Sequence, residues 1–408
     1  MSPSLRGFRA LESARFRTYL LGQLVSLTGT WMQQVTLAWL AFRITGSSTA
    51  VGIALACSQL PILVLSPVAG VVNDRFDRRR VLIFTQLASF VQAVLLMLIY
   101  ATGTLHTAMI FALSAFGGLI NALDMPARQA VVPRLIDRPG DIRNAVALSS
   151  ASVHIARLLG PALAASLLTR WDAASCFGAN ALSCAVFCGV LINLSVTAHE
   201  PIRQISFASL REGWQYCGGH LDTRQTLTWI AIASLFAIPY TSLLPAAAHI
   251  WSRATPISYA QLMAAAGGGA VLAALVLAQV EMDKTLHRVI PLSLLVVALG
   301  LATLGTAGSG LPAAILLAVV SMLGFTLTII VSGGNVLLQH SVPEALRGRV
   351  MGLFVMLFNG IAPLGALLWG FVADHLTVSI ALTCAGAMIT FTVIGTYASI
   401  VDRRYLRP

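Results

Sequence analysis

The chain has 408 residues, of which 57% are hydrophobic and only 10% charged, and its mean hydropathy is +0.83. Soluble domains carry about 25% charged residues, so these few charges could not cover a soluble core of this size, and the bilayer must solvate most of the surface. The net charge of +11 would otherwise suggest a nucleic-acid partner, but the arginines sit in short clusters between apolar runs, with no basic stripe interleaved with aromatics, which argues against that class.

A bilayer core of about 30 Å needs roughly 20 apolar residues per helix. The start of the chain is basic (Arg6, Arg9, Arg15, Arg17), as in a signal peptide. The apolar run behind it reaches Phe42, longer than the roughly 7–15 residues of a signal core, and reads as a first span over Thr18–Phe42. A turn at Thr45-Gly46-Ser47-Ser48 and a second helix fill Ile44–Asn73, and Val81–Leu123 holds two helices broken around Thr102-Gly103-Thr104. Asn144–Thr169 gives the fifth span and Ala173–His199 the sixth. Residues 197–224, with Leu210, Arg211 and Trp214 at helical spacing, read as an amphipathic cytoplasmic linker. The second half supplies Thr226–Ala247, Ser258–Val280, Val289–Gly308, Leu311–Leu338, Val350–Val372 and Thr377–Ile400.

These windows predict an all-α membrane protein of twelve transmembrane helices, six in residues 1–196 and six in residues 225–408. With the loops assigned alternately to the two sides, all but four of the 26 basic residues fall on the side that holds both termini. The exceptions are Arg43, Arg170 and Arg253 opposite, and Arg157 inside a span. The positive-inside rule then places both termini in the cytoplasm of a bacterial inner membrane. At one common offset Ser48 aligns with Ser258, Arg78 with Arg288, and Gln129 to Pro133 with Gln339 to Pro343. A later alignment pairs Arg157 and Pro161 with Asn359 and Pro363. Such a parallel six-helix repeat is a transporter architecture with a cavity near the midplane.

Between the second and third spans lie Gly70, Asp74, Arg75, Arg78, Arg79 and Arg80. Asp74, at a helix end, can interact with a facing helix N-terminus. Arg78 can reach a carboxylate on a neighbouring helix, with Asp124 at the end of the fourth span as the candidate. The loop resembles the signature loop of the major facilitator superfamily, with Asp77 where that family usually has glycine. The resemblance implies the major facilitator fold, two six-helix pseudo-repeats, and a cytoplasmic charge network that stabilises an outward-facing state. The alternative is that these arginines only hold topology. Asp124-Met-Pro126-Ala-Arg128-Gln-Ala-Val-Val-Pro133, Gly160-Pro161 and Val342-Pro343-Glu344-Ala-Leu-Arg347-Gly348-Arg349-Val-Met-Gly352 resemble the branch of that superfamily that contains enterobactin and macrolide exporters. Packing and kinking around Gly160 and Pro161 are expected on helix five.

Inside the spans, Arg157 is the one deep basic residue, and a charge there must face a cavity or a partner. His154 lies one turn earlier and can share its face. Either the pair belongs to a substrate- or proton-linked site for anionic or oxygen-rich ligands, or the arginine is satisfied by backbone carbonyls between helices. On the first span Gln23, Ser26, Thr30, Gln33 and Gln34 recur at helical spacing beside Trp31 and should face the protein interior, contacting substrate or other helices. Tyr240, Asn335 and Asn359 are weaker substrate-site candidates, and Gly267-Gly268-Gly269 suits close helix packing. Cys184 and Cys188 share a helix face, as packing residues would.

No mid-span carboxylate is present to carry a proton, and His154 is the deep group suited to that task. No Walker-type loop, His-Glu-x-x-His or Gly-x-Ser-x-Gly motif occurs, so neither ATP-driven nor enzymatic chemistry is expected, and no metal or cofactor. The partners expected are a small-molecule substrate, protons as a coupling ion and membrane lipid. The leading reading is a proton-driven exporter of small amphipathic molecules, with a siderophore as the most concrete substrate. Multidrug or macrolide efflux is the runner-up, and a receptor or an intramembrane enzyme is the remote alternative.

Overall fold

The computed structural model describes residues 9–194, 214–251, 258–277 and 283–405. The N-terminal bundle begins with α1 (Ala14–Thr45), α2 (Ser48–Arg75) and α3 (Arg78–Ala101). It continues with α4 (Thr107–Val131), α5 (Ile142–Arg170) and α6 (Ala173–Asn193). Then follow α7 (Leu221–Ile232), α8 (Tyr240–Trp251), α9 (Tyr259–Leu277) and α10 (Asp283–Ala307). The last three are α11 (Ala313–Ser341), α12 (Glu344–His375) and α13 (Val378–Tyr405). No β-strand occurs among the described residues. Hydrocarbon offers no water to unpaired backbone groups, so a spanning segment satisfies them within its own helix.

Eleven helical stretches among the described residues are long and apolar enough to cross a membrane. The twelfth long helix is α1, which has 32 residues; its run of glutamines, serines and threonines makes it less apolar than the others. The turn expected at Gly46 is tight, with the glycine at φ +67° and its N–H on the Phe42 carbonyl at 2.7 Å. That left-handed conformation disfavours any residue with a β-carbon.

The seventh span differs from expectation. It runs from Leu221 to Trp251 as α7 and α8 joined by a π-helical segment, Ala233–Ala237. Pro239 has no N–H to give to the Leu235 carbonyl one turn back, and the Trp369 indole on α12 donates to that carbonyl instead, at 3.0 Å. Most of the linker expected at 197–224 lies outside the described residues. Of it, residues 214–219 are helical and Trp214 is exposed.

Contacts divide the chain into two units, Met1–Leu40 with Cys57–Ile205, and Ala41–Ala56 with Ser206–Pro408. In the first unit Phe16, Tyr19, Leu82, Leu135, Phe187 and Leu191 form a fully buried apolar cluster from α1, α3, the turn after α4, and α6. In the second, α9 and α11 touch backbone to backbone: a β-carbon at Gly269 would lie 1.8 Å from the Ser321 carbonyl oxygen. Gly269 on α9 therefore serves close packing.

Candidate functional site

Three polar side chains of α1 tie the first unit together. Gln23 donates to the hydroxyls of Ser152 at 2.8 Å and Ser149 at 3.0 Å on α5. Ser26 donates to the Gln86 amide oxygen on α3 at 2.9 Å. The Gln33 amide oxygen accepts from Asn180 on α6 at 2.8 Å. Gln23, Ser26 and Gln33 are buried, and these bonds brace α1 against α3, α5 and α6. The physical reason is that an amide in a low-dielectric interior takes the nearest complementary group, and neighbouring helices supply one. Thr30 turns its hydroxyl to the Ser26 carbonyl of its own helix at 3.0 Å, and Gln34 is exposed.

Asp124 on α4 lies in a closed charge cluster. One carboxylate oxygen accepts from Thr85 at 2.7 Å and from Gln86 at 3.0 Å, and the other is bridged by the Arg128 guanidinium. The basic partner of Asp124 is thus Arg128, one turn along its own helix, in place of the expected Arg78. Arg128 also donates to Ser26 at 3.1 Å and stacks over the Phe187 ring at 4.7 Å. Its side chain and that of Asp124 retain 9% and 6% exposure. A pair this dry and this well bonded holds α1, α3, α4 and α6 in register; it offers little to a ligand. Asp124-x-x-x-Arg128 is an i, i+4 pair, and that spacing was the signal available in the sequence.

The signature-loop arginines cap helices. Arg78 is buried and reaches the Ala130 carbonyl near the end of α4 at 3.3 Å. Arg79 donates through Nε to the Leu191 carbonyl at 2.6 Å and through Nη2 to the Ile192 carbonyl, at the end of α6. A cation at a helix C-terminus complements the dipole and the unpaired carbonyls there. Asp77 caps the start of α3 by accepting the Arg79 N–H at 2.8 Å, with φ −60°. The departure from glycine is therefore accommodated without left-handed backbone. The side chains of residues 66–75, including those of Asp74 and Arg75 and the position Gly70, lie outside the described residues.

Arg157 is half-buried on α5, with its guanidinium 5.2 Å from the centre of the Trp31 ring on α1. The helices meet at Gly160, where a β-carbon would lie 2.5 Å from Trp31 Cβ and 2.9 Å from the Met32 nitrogen and the Thr28 carbonyl oxygen. Gly160 thus permits the approach that seats the Trp31 ring against the guanidinium, within cation–π range. Pro161 follows and withdraws the helical N–H donor from the Arg157 carbonyl. His154, one turn earlier, is half-buried, and its Nδ1 is shielded from solvent with no hydrogen-bond partner among the described residues. Buried polar atoms are normally satisfied by protein, water or ligand. Of the expected site residues, the structure brings Arg157, His154, Gly160 and Pro161 together. It adds Trp31, which the sequence placed beside the polar stripe of α1 without a role of its own.

In the second unit Tyr240 is buried, Asn335 is half-buried and accepts from Gln339, and Asn359 is half-buried on α12.

A family model described as transmembrane secretion effector matches residues 6–403. The staphyloferrin A transporter of Staphylococcus aureus is 28% identical over 375 residues, covering 90% of this chain and 89% of the relative. The multidrug efflux pump Tap of Mycolicibacterium fortuitum is 25% identical over 367 residues, covering 87% and 88%. Among solved structures, a peptide transporter, POT, superposes with a TM-score of 0.75 at 12% identity, covering 95% of this chain and 94% of that one. The nucleoside transporter NupG does so with a TM-score of 0.72 at 12% identity, covering 93% and 99%.

Proposed function

We infer that this chain, which belongs to the transmembrane secretion effector family of the major facilitator superfamily, exports an oxygen-rich, anionic small molecule of the siderophore type. Membership makes it a multi-pass membrane transporter and not an enzyme. The observation that carries the substrate class is the Arg157 guanidinium, held half-buried over the Trp31 ring. The planar fork of a guanidinium matches a carboxylate in bidentate geometry, which a point charge does not. The His154 ring nitrogen beside it can accept a hydrogen bond from a hydroxyl or hold a coupling proton. Export over import is favoured by the efflux-pump relative, and the siderophore class by the staphyloferrin A transporter.

The protein lies in the inner membrane with both termini cytoplasmic, and the proton gradient drives it. Residues 1–196 and 225–408 form the bundles that alternate access. The Gly70–Arg79 loop with Asp74, Arg75 and Arg78, the Asp124 cluster and the Gly160–Pro161 element govern that change. Gln23, Thr30, Gln33, Gln34, Tyr240, Asn335 and Asn359 are secondary lining candidates. A second reading, multidrug efflux, rests on the Tap relative.

The test compares small molecules released by cells that produce the protein with those released by cells carrying Arg157→Gln at equal membrane abundance. A carboxylate-rich compound enriched outside only with the wild-type chain is the expected result. Enrichment of cationic drugs alone supports the second reading, and equal release of all compounds by both strains refutes both.

A further inference from the structure

The first turns of α2 are capped from a position 326 residues away in the chain. Asp374, near the end of α12, accepts the Ser48 N–H at 2.7 Å on one carboxylate oxygen. Its other oxygen accepts the Thr49 N–H at 2.9 Å and the Ser47 hydroxyl at 2.6 Å. Ser47 in turn accepts the Ala50 N–H at 3.1 Å. A helix start leaves about four N–H groups without intrahelical partners. Here a local cap satisfies one of them and a carboxylate from another helix two more. The negative charge also lies at the positive end of the α2 dipole.

The backbones are equally close. A β-carbon at Gly370 would lie 2.8 Å from the Ser48 carbonyl oxygen, and one at Gly52 would lie 2.7 Å from the Ala366 carbonyl oxygen. Ala366, Gly370 and Asp374 are spaced i, i+4, i+8 on α12, and Ser48 and Gly52 are spaced i, i+4 on α2, so each set forms one face. This contact is part of the second unit, which takes in residues 41–56. The remaining residues of α1 and α2 belong to the first unit, so each helix changes unit along its length.

We propose that Asp374 is a latch: its carboxylate clamps the start of α2 to the end of α12 in this conformation, and the transport cycle proceeds by releasing it. The proposal rests on the transporter reading only in giving that release a role in transport; the contact itself stands without a substrate. A latch differs from a plain helix cap because its loss shifts the conformation of the whole molecule as well as fraying the start of α2.

Both effects can be read without a substrate, in a variant lacking the native cysteines. The labelling rate of Ala50→Cys, a buried position, is measured with maleimide in permeabilised membranes, so membrane orientation does not matter. Asp374→Ala is expected to raise the rate by roughly ten-fold or more, as loss of charge-assisted hydrogen bonds would. Asp374→Asn keeps one acceptor oxygen and should fall between. The second measurement is the electron-spin distance distribution between labels at the exposed positions Phe76 and Gln339. Asp374→Ala should move population to a new distance.

An unchanged labelling rate overturns the proposal. A raised rate with an unchanged distance distribution also overturns it, reducing Asp374 to a local cap. If Asp374→Ala does not accumulate, Asp374→Asn and Ser47→Ala take its place under the same criteria. Neither measurement depends on Arg157 or on a ligand, so failure here is separable from failure of the proposed substrate site.

Discussion

Neutralising Arg128 strips Asp124 of its cation in a buried place. In Arg128→Gln the carboxylate keeps its bonds from Thr85 and Gln86, but its charge is left unpaired with 6% side-chain exposure. Removing one member of a buried pair costs about 3–5 kcal/mol. The lost bond to Ser26 adds about 0.5–1.5 kcal/mol, and the lost stacking on Phe187 about 0.5–2 kcal/mol. Asp124→Asn leaves the opposite orphan, a buried guanidinium, and should cost a similar amount. The double variant Asp124→Asn, Arg128→Gln removes both charges and keeps hydrogen-bonding groups in place, so it should recover most of the loss. The assay is SDS-induced unfolding of purified protein in mixed micelles across the four members of the cycle. The expected coupling is at the upper end of the roughly 0.5–3 kcal/mol seen for contacting residues. Additive single effects, or an Arg128→Gln protein that unfolds with the wild type, would refute the picture of a sealed ion pair bracing four helices.

Gly160→Ala puts a methyl 2.5 Å from Trp31 Cβ and should cost about 1–3 kcal/mol in the same unfolding assay. Gly189→Ala, with nothing within 4 Å, serves as the control and should stay within about 1 kcal/mol, the usual helix preference for alanine over glycine. Trp31→Phe keeps a π-face beneath Arg157 and should preserve most export, whereas Trp31→Leu should raise the KM for the exported compound, with abundance measured by immunoblot. A cysteine at Phe76, an exposed position, should resist membrane-impermeant reagents added to intact cells; labelling from outside would invert the proposed topology.

The helical plan was legible because lipid imposes it: long charge-free runs admit few alternatives, and Gly46 and the Gly308–Gly310 turn mark breaks where the structure has them. The π segment in the seventh span was not legible. It depends on Pro239 freeing a carbonyl and on Trp369, more than a hundred residues away, taking it. The polar stripe of α1 was visible, but its roles were not, since Gln23 and Gln33 are committed by Ser152 and Asn180 on helices whose registers no spacing reveals. For Asp124, a distant partner was expected where the i, i+4 arginine on its own helix already satisfied it. Arg157 stood out by the cost of its charge at depth, whereas the pairing of Trp31 with it became visible only through the approach of two backbones at Gly160.

The most direct test of the proposed export site is uptake into everted membrane vesicles of the compound enriched outside producing cells, with wild type, Arg157→Lys and Arg157→Gln at matched abundance. A hydrogen-bonded charge is worth about 1.5–3 kcal/mol, and each 1.4 kcal/mol is about ten-fold. Arg157→Gln should therefore lose at least about ten-fold in kcat/KM, with Arg157→Lys between it and wild type because the charge remains without the planar fork. Uptake by Arg157→Gln equal to wild type would contradict the account.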